Sequence, residues 1–568
     1  MQLLASPVLM GPLLAGLLFS LLFEALLKPR PQPCWQRSLA ANMVHLGCWL
    51  LLFGLFVLVL QRPWFAVVFI LSLQLVVVQA SNTKSRTLNE PFICHDFEYF
   101  WDAILHPRLY VPFFGIGLAI AASSAGAVAI GSFFYVESPL TNQRGVTAFL
   151  LSSVSLITTG ALIVWLGWRQ LPSITLDPAA DLDRLGLFSS LWSYGIALAR
   201  SHAPAPTTSP FYALAQSTAE QSTAEQSTAE QSTAEQSTVA HGATAMPPNV
   251  VLVQSESFFD PRAWCEDVAA DLLPNYDAAR AGALLYGTLN VPAWGANTVR
   301  TESAVLTGLP PETWGARQFN PYRTLSRHTM PSIASAFKAQ GYRTVCVHPY
   351  PATFYLRDRV IPKLGFESFI DINAFSSKDK HGQYISDQAV ARKVGRLLED
   401  GDNRPLFVFV ITMENHGPLH LEAPDRATLA KTLPNAAWPL PNYLRDLAVY
   451  LQHLSEADHM LGSVKAALQS ASRPGLLGWY GDHVPILPDA YGHYSPPDGN
   501  TPYMIWSTQS DSALHTKLNS NLPDQPPAEQ GSCTLSSNEL GVQLFKQAFG
   551  RDISSDVIKA EPEPQEQE

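Results

Sequence analysis

Charge is scarce in this sequence, and no two cysteines are closely spaced. Lys, Arg, Asp and Glu make up 15% of the 568 residues, well below the quarter usual for a soluble domain. The six cysteines, Cys34, Cys48, Cys94, Cys265, Cys346 and Cys533, are scattered. None forms a C-x-x-C pair, so neither a zinc ribbon nor a disulfide framework is indicated, and they do not reveal the compartment. There is no basic stripe and the net charge is −11, which argues against a nucleic-acid partner. No basic segment precedes the first apolar stretch, which also outlasts a secretory h-region, so it does not read as a cleavable signal peptide.

What is present is unevenly distributed. Charges are sparse before about residue 170 and ordinary after it, which predicts a membrane part followed by a soluble part. Five apolar stretches, at 3–27, 41–60, 64–80, 111–135 and 147–168, approach or exceed the roughly 20 residues that cross a bilayer. Arg62-Pro63 predicts a tight turn between the second and third, and Trp64, Tyr135, Trp165 and Trp168 lie near predicted ends, as interfacial aromatics do. Five such stretches in one block are hard to bury inside a soluble protein.

After the spans, 182–200 places Leu185, Leu187, Leu191, Trp192, Ile196 and Leu198 at rough helical spacing. This predicts one amphipathic helix, lying on the membrane or packed on the soluble domain. Residues 215–242 then repeat Gln-Ser-Thr-Ala-Glu. A five-residue period matches neither helix nor strand, and no apolar face larger than Ala exists, so the repeat reads as a solvated linker. The tail "AEPEPQEQE" is acidic and reads as disordered. The expected organisation is a five-helix transmembrane domain at 1–170, a juxtamembrane helix and linker at 171–247, a soluble domain at 248–548 and a tail at 549–568.

Within 248–548 strands and helices alternate. "NVVLVQ" (249–254), "YRTVCVHP" (342–349), "LFVFVITM" (406–413) and "LLGWYGD" (476–482) read as buried strands. "MPSIASAFKAQG" (330–341) predicts a helix stopped by Gly341, and 443–469 a long amphipathic helix or helix pair. The fold class expected is a multi-pass α-helical membrane domain joined to an α/β domain with a mostly parallel sheet sandwiched by helices. Such sheets bind ligands beyond the C-terminal ends of their strands.

Polar side chains gather at those ends. Glu256 follows the first strand, His348 the second, Glu414, Asn415 and His416 the third, and Asp482 and His483 the fourth. A single polar strand end is usually just a loop; four together are expected to converge. Carboxylates with an imidazole suit a divalent ion such as Mn²⁺, Zn²⁺ or Mg²⁺. "WGANTVRTESAVLTGLP" (294–310) offers a nucleophile, since a helix from about Val299 to Leu306 would set Thr298 at its N-terminus. A metal lowers a hydroxyl's pKa, and a helix N-terminus favours developing negative charge. On this segment alone, Thr298 reads equally as a plain helix cap.

The ordered set "VQSES", "GANTVRTES", "VHPYPATFYLRDRVIPKLGF", "MENHGP" and "GDH" resembles the alkaline phosphatase/sulfatase superfamily. Within it, the pattern resembles the lipoteichoic acid synthase and phosphoglycerol transferase branch. The resemblance covers nearly the whole chain apart from the repeats and tail. It implies a plasma (inner) membrane protein with an extracytoplasmic catalytic domain. It implies one divalent ion, manganese in that branch with zinc or magnesium as alternatives, held by Glu256, Thr298, Asp482 and His483, with Thr298 as nucleophile. It implies a phosphate pocket of His348, Tyr355, Arg357 and His416. The partners implied are the bilayer, a phospholipid donor and a cell-envelope glycan or glycolipid acceptor. Tyr355 stands where the branch commonly has Trp, and Arg300 near where lipoteichoic acid synthases proper have an acidic residue.

The implied orientation opposes the loop charges. With five spans and the catalytic domain outside, Lys28, Arg30, Arg37, Lys84, Arg86 and Arg108 also lie outside, leaving only Arg62 and Arg144 inside, the reverse of the usual bias. The layout of the branch is the expectation retained. The rival functions are phosphoethanolamine transfer, hydrolysis of sulfuric or phosphoric esters, and a catalytically dead scaffold.

Overall fold

The structure is a computed structural model that describes residues 7–105, 116–216, 246–509 and 532–550. It divides into two compact units, Met1–Ser201 and His202–Glu568.

The first unit is helical. Helices Pro7–Glu24, Leu39–Leu60, Pro63–Leu88 and Val146–Trp168 are each long and apolar enough to cross a membrane. Leu18, Val59 and Leu151 stay exposed on them, a surface suited to lipid rather than water. These helices answer to four of the five predicted stretches. The fifth, 111–135, overlaps helix Ile116–Val136, and residues 106–115 lie outside the described residues.

The single helix predicted over 182–200 is corrected. Two helices are found, Pro178–Leu185 and Leu187–Arg200, separated by Gly186 at φ 75°. A Cβ on Gly186 would meet the Arg37 guanidinium at 2.0 Å, and the Leu187 N–H donates to the Glu24 carboxylate. The break therefore comes from a left-handed glycine packed on a buried ion pair, Arg37 to Glu24 at 2.7 Å. Leu182 and Leu187 pack with Leu27 and Val78 in the same unit.

The second unit holds strands β1 (Asn249–Ser255), β2 (Ala283–Asn290), β3 (Arg343–Val347), β4 (Ser368–Ile370), β5 (Lys380–His381), β6 (Tyr384–Ile385), β7 (Leu406–Ile411), β8 (Gly475–Gly481), β9 (Thr501–Ser507) and β10 (Leu535–Ser536). Eight form one sheet in the order β10-β2-β9-β8-β1-β7-β3-β4, and β5-β6 is a separate hairpin. The run from β8 to β4 is parallel, while β9 is antiparallel to both β8 and β2. The four strands read from sequence are thus the neighbours β8-β1-β7-β3.

Every residue of β1, β7 and β8 is buried, so both faces need cover. Val251, Val253 and Val408 pack with Leu447, Leu454 and Leu461 of helix Asn442–Ser470, one continuous helix. Val250, Leu252 and Phe407 point the other way, onto Val305, Phe337 and Leu544, as alternation along a strand requires. Each such buried side chain contributes roughly 1.5–3 kcal/mol. The helix predicted over 330–341 runs Ile333–Ala339 from an N-cap at Ser332. Most of the Gln-Ser-Thr-Ala-Glu repeat and the tail beyond residue 550 lie outside the described residues.

Candidate active site

Because β8, β1, β7 and β3 are adjacent and parallel, their C-terminal ends share one edge of the sheet. Glu256 directly follows β1, His348 follows β3, Glu414 to His416 lie just past β7, and Asp482 and His483 follow β8.

Glu256, Asp482 and His483 each turn a ligand atom into one cluster, all within 4.8 Å of one another. His483 Nε2 is 3.2 Å from Asp482 Oδ2 and 3.6 Å from Glu256 Oε1. The other ring nitrogen, Nδ1, lies 3.0 Å from the Val484 carbonyl. An Nδ1–H donated there leaves Nε2 as a bare lone pair aimed at the two carboxylates. Asp482 Oδ1 accepts from the backbone N–H groups of Ser257 and His483 at 2.9 and 3.1 Å. Its Oδ2 is buried and accepts no hydrogen bond. Burial first, then the charge of Asp482, push Glu256 up to about 8. Two buried carboxylates and a lone-pair nitrogen, with one oxygen left over, are a donor set that a divalent cation completes.

The approach of β8 to the loop after β1 depends on Gly481. A Cβ there would stand 2.0 Å from the Phe258 carbonyl oxygen. With no side chain in the way, the strand end comes close enough to bring Asp482 to Glu256.

Thr298 opens helix Thr298–Thr307. Its Oγ1 lies 3.5 Å from His483 Nε2, at the helix end that favours an anion. Thr301, one turn on, donates its hydroxyl to the Asp482 carbonyl at 2.8 Å and ties the helix to the end of β8.

Beside this cluster, Arg357 is 1% exposed. Its Nη2 and Nε reach Glu302 at 2.7 and 3.2 Å, and its Nη1 reaches His348 Nε2 at 3.2 Å. His348 Nδ1 lies 3.3 Å from the Ile411 carbonyl. That donation leaves Nε2 to accept from the guanidinium, and burial, then the Arg357 charge, hold His348 well below its ordinary value. Tyr355 lies under the guanidinium, 5.4 Å from ring centroid to Cζ. His416 sits past β7 with Nδ1 2.7 Å from the Gly417 carbonyl. Burial lowers its pKa, and the charges of Asp482 and Arg357 both act on it. Arg300 instead lies over Phe319, 4.9 Å from the ring centroid, and donates to the Phe319 carbonyl.

The structure therefore groups Glu256, Thr298, Asp482 and His483 at the ends of β1 and β8. It groups His348, Tyr355 and Arg357 past β3, with His416 past β7. Non-glycine residues with positive φ flank both groups: Ser257 (53°), Asn297 (65°), Tyr355 (55°) and Leu356 (60°). Each is a costly conformation that the surrounding structure must hold.

Glu302 and Gln254 were not singled out in the sequence. Glu302 is wholly buried and takes Arg357, the Tyr322 hydroxyl and the Gln254 amide. Tyr480 closes the chain by donating to Gln254 at 2.5 Å. A signal existed: Glu302 is one turn after Thr298 on the same helix face, in a segment that offers no other acid to a buried arginine.

Residues 248–526 match the Sulfatase family model. The chain is 34% identical over 260 residues to the capsular polysaccharide biosynthesis protein RkpI of Rhizobium meliloti (strain 1021), covering 45% of each chain. The chain spans half or less of the length of the curated relatives it matches. Among solved structures, the lipooligosaccharide phosphoethanolamine transferase EptA of Neisseria meningitidis superposes with a TM-score of 0.52 at 12% identity, over 95% of both chains. The Streptococcus pyogenes phosphoglycerol transferase GacH gives a TM-score of 0.42 at 20% identity, over 64% of this chain and 91% of its own. The fold shared with EptA spans the apolar helices as well as the α/β domain.

Proposed function

Since residues 248–526 belong to the sulfatase family of the alkaline phosphatase/sulfatase superfamily, we propose that the chain moves phosphoglycerol from a membrane glycerophospholipid to a cell-envelope glycan or glycolipid through a phospho-Thr298 intermediate. The observation that carries this reading is Thr298 Oγ1, at a helix N-terminus and 3.5 Å from His483 Nε2 in the carboxylate cluster. A threonine cannot become formylglycine, and no cysteine has the C-x-P-x-R context of a sulfatase. That favours phosphoryl chemistry over sulfate-ester hydrolysis.

Glu256, Asp482, His483 and Thr298 would hold one divalent ion, manganese in this reading. When bound, that ion lowers the hydroxyl pKa and offsets charge on the phosphate oxygens. In the first step Thr298 Oγ1 forms a bond to phosphorus as the bond to the diacylglycerol oxygen breaks, and the threonine proton ends on that oxygen. In the second step an acceptor hydroxyl displaces Thr298, and its proton returns to Oγ1. His416, with Nδ1 at the Gly417 carbonyl, would join Arg357 in holding the phosphate oxygens. Arg357, fixed by Glu302 and His348, supplies a preorganised positive charge to the phosphate, the main demand that phosphoryl transfer makes of a protein.

A glycan acceptor is supported by the name of the Rhizobium relative, a capsular polysaccharide biosynthesis protein. Phosphoethanolamine is the second head group to consider, because EptA shares the fold along the chain. Enzymes of that class usually carry several disulfides, whereas all six cysteines here are free. The catalytic domain faces outward in this reading, and a reporter fused after residue 170 that is active in the cytoplasm would reverse it. The deciding experiment gives the detergent-solubilised chain phosphatidylglycerol or phosphatidylethanolamine, each labelled in the head group. Label on Thr298 from phosphatidylglycerol is expected. Label from phosphatidylethanolamine alone would change the head group, and label from neither would remove the donor class.

A further inference from the structure

A second group of ligating side chains stands apart from the Thr298 cluster. His381 on the β5-β6 hairpin, Glu414 past β7 and His453 in helix Asn442–Ser470 bring one ligand atom each to within 4.8 Å of one another. His381 Nδ1 is 2.5 Å and His453 Nδ1 3.4 Å from the same oxygen, Glu414 Oε1. Glu414 and His453 are fully buried, and the His381 side chain is 44% exposed. Three separate stretches of chain thus send donors to one point.

The outer contacts decide what that point suits. His453 Nε2 lies 3.0 Å from Glu422 Oε2. An Nε2–H donated there leaves Nδ1 as a lone pair facing a carboxylate oxygen, which is repulsive unless a proton or a metal stands between them. A carboxylate behind a histidine in front of a cation is the usual way a metal-bound imidazole is oriented. Glu422 is itself closely packed, since a Cβ on Gly382 at the hairpin turn would stand 2.3 Å from its Oε2.

Asp387 adds a third carboxylate. It is 1% exposed, neither of its oxygens has a hydrogen-bond partner, and its backbone N–H donates to Glu414 Oε2 at 2.5 Å. Three carboxylates and two imidazoles thus crowd one largely buried place, with both Asp387 oxygens left without a partner.

We propose that His381, Glu414 and His453 form a second divalent-metal site, suited by its two imidazoles and one carboxylate to Zn²⁺ and separate from the site at Glu256, Asp482 and His483. Solvent on the exposed His381 side completes the coordination. The site fastens the β5-β6 hairpin and the loop after β7 to the long helix. Both segments lead to His416: it lies two residues after Glu414, and Tyr384 of the hairpin donates to the Gly417 carbonyl at 2.9 Å and stands 3.4 Å from the His416 ring. The proposal does not depend on the reaction assigned to Thr298.

The test is metal stoichiometry on the full chain in detergent. Protein stripped with chelator is titrated with Zn²⁺ and, for its absorption bands, with Co²⁺. The wild type is expected to bind two equivalents and a Glu256→Gln/His483→Gln variant one, with the remaining equivalent lost on adding His453→Gln. His381→Ala, at a partly exposed position where folding should survive, is expected to weaken that equivalent by about tenfold or more. One equivalent in the wild type, or an affinity unmoved by His381→Ala in protein that melts like the wild type, overturns the second site. Retention of the extra equivalent in a folded His381→Ala/His453→Gln variant does the same.

Discussion

Arg357 rests on Glu302, Nη2 to Oε2 at 2.7 Å with both side chains buried, and Glu302 is one turn from Thr298. The helix that presents the candidate nucleophile therefore also fixes the candidate phosphate-binding charge. Removing one partner of a buried pair leaves the other uncompensated. Glu302→Gln is expected to destabilise the catalytic unit by about 3–5 kcal/mol and to lower turnover further than a neutral amide elsewhere would. Thermal melts and donor consumption measured on the same preparation check this. A melt shifted by less than one kilocalorie's worth would show that the pair contributes little.

Thr298→Ala is expected to abolish head-group transfer while leaving the protein folded and metal binding weakened but measurable. Thr298→Ser, which keeps a hydroxyl, is expected to retain part of the rate. Mass spectrometry of the trapped wild-type intermediate should find the adduct on Thr298. An active alanine variant would rule out this nucleophile.

Gly481→Ala adds a Cβ 2.0 Å from the Phe258 carbonyl oxygen. Backbone must move to relieve it, at a cost of about 1–3 kcal/mol. The movement separates Asp482 from Glu256, so affinity for the ion should fall along with the melting temperature. Chelator-competition titration reads the affinity, and an unchanged value would mean that the strand end is less constrained than its contacts imply.

Arg262 is clamped between Asp277, at 2.6 and 2.8 Å, and Asp260, at 2.8 and 2.9 Å. Its hydrogen bonds hold Asp277 below its ordinary carboxylate value. A depressed folded value means the contribution to stability is fully present above the unfolded value, about 3.9, and is lost as pH falls through the folded one. Because Asp277 is 37% exposed, the contribution is about 1 kcal/mol or less. Asp277→Asn should therefore lower stability slightly at pH 7 and progressively less as pH falls below about 3.9, as denaturant melts across that range would show.

The central strands were legible because β1, β7 and β8 are buried on both faces and read as unbroken apolar runs. Their polar ends were legible for the same reason: Glu256, Asp482 and His483 interrupt such runs. Strand β9, Thr501–Ser507, was not anticipated, since Pro502 near its start weakens the pattern. The break at Gly186 was hidden by leucines whose spacing continues across it. Glu302 and Gln254 were hidden because their partners are distant in sequence, Arg357 lying 55 residues from Glu302. His381 and His453 carried no local signal, one on a short hairpin and one within a long helix. What pairs them is the packing of helix Asn442–Ser470 against the sheet, which spacing along the chain does not encode.

The order β8-β1-β7-β3 also sets two groups of side chains along a line. Glu256, Asp482 and His483 come from the adjoining strands β8 and β1, whereas Arg357, His348 and His416 come from segments after β3 and β7. In the proposed reading, a change in the segments after β3 would reshape which head group is accepted without touching the carboxylate cluster. If the proposed roles hold, reactivity and selectivity are carried by different loops, so descendants of this chain could exchange one while keeping the other.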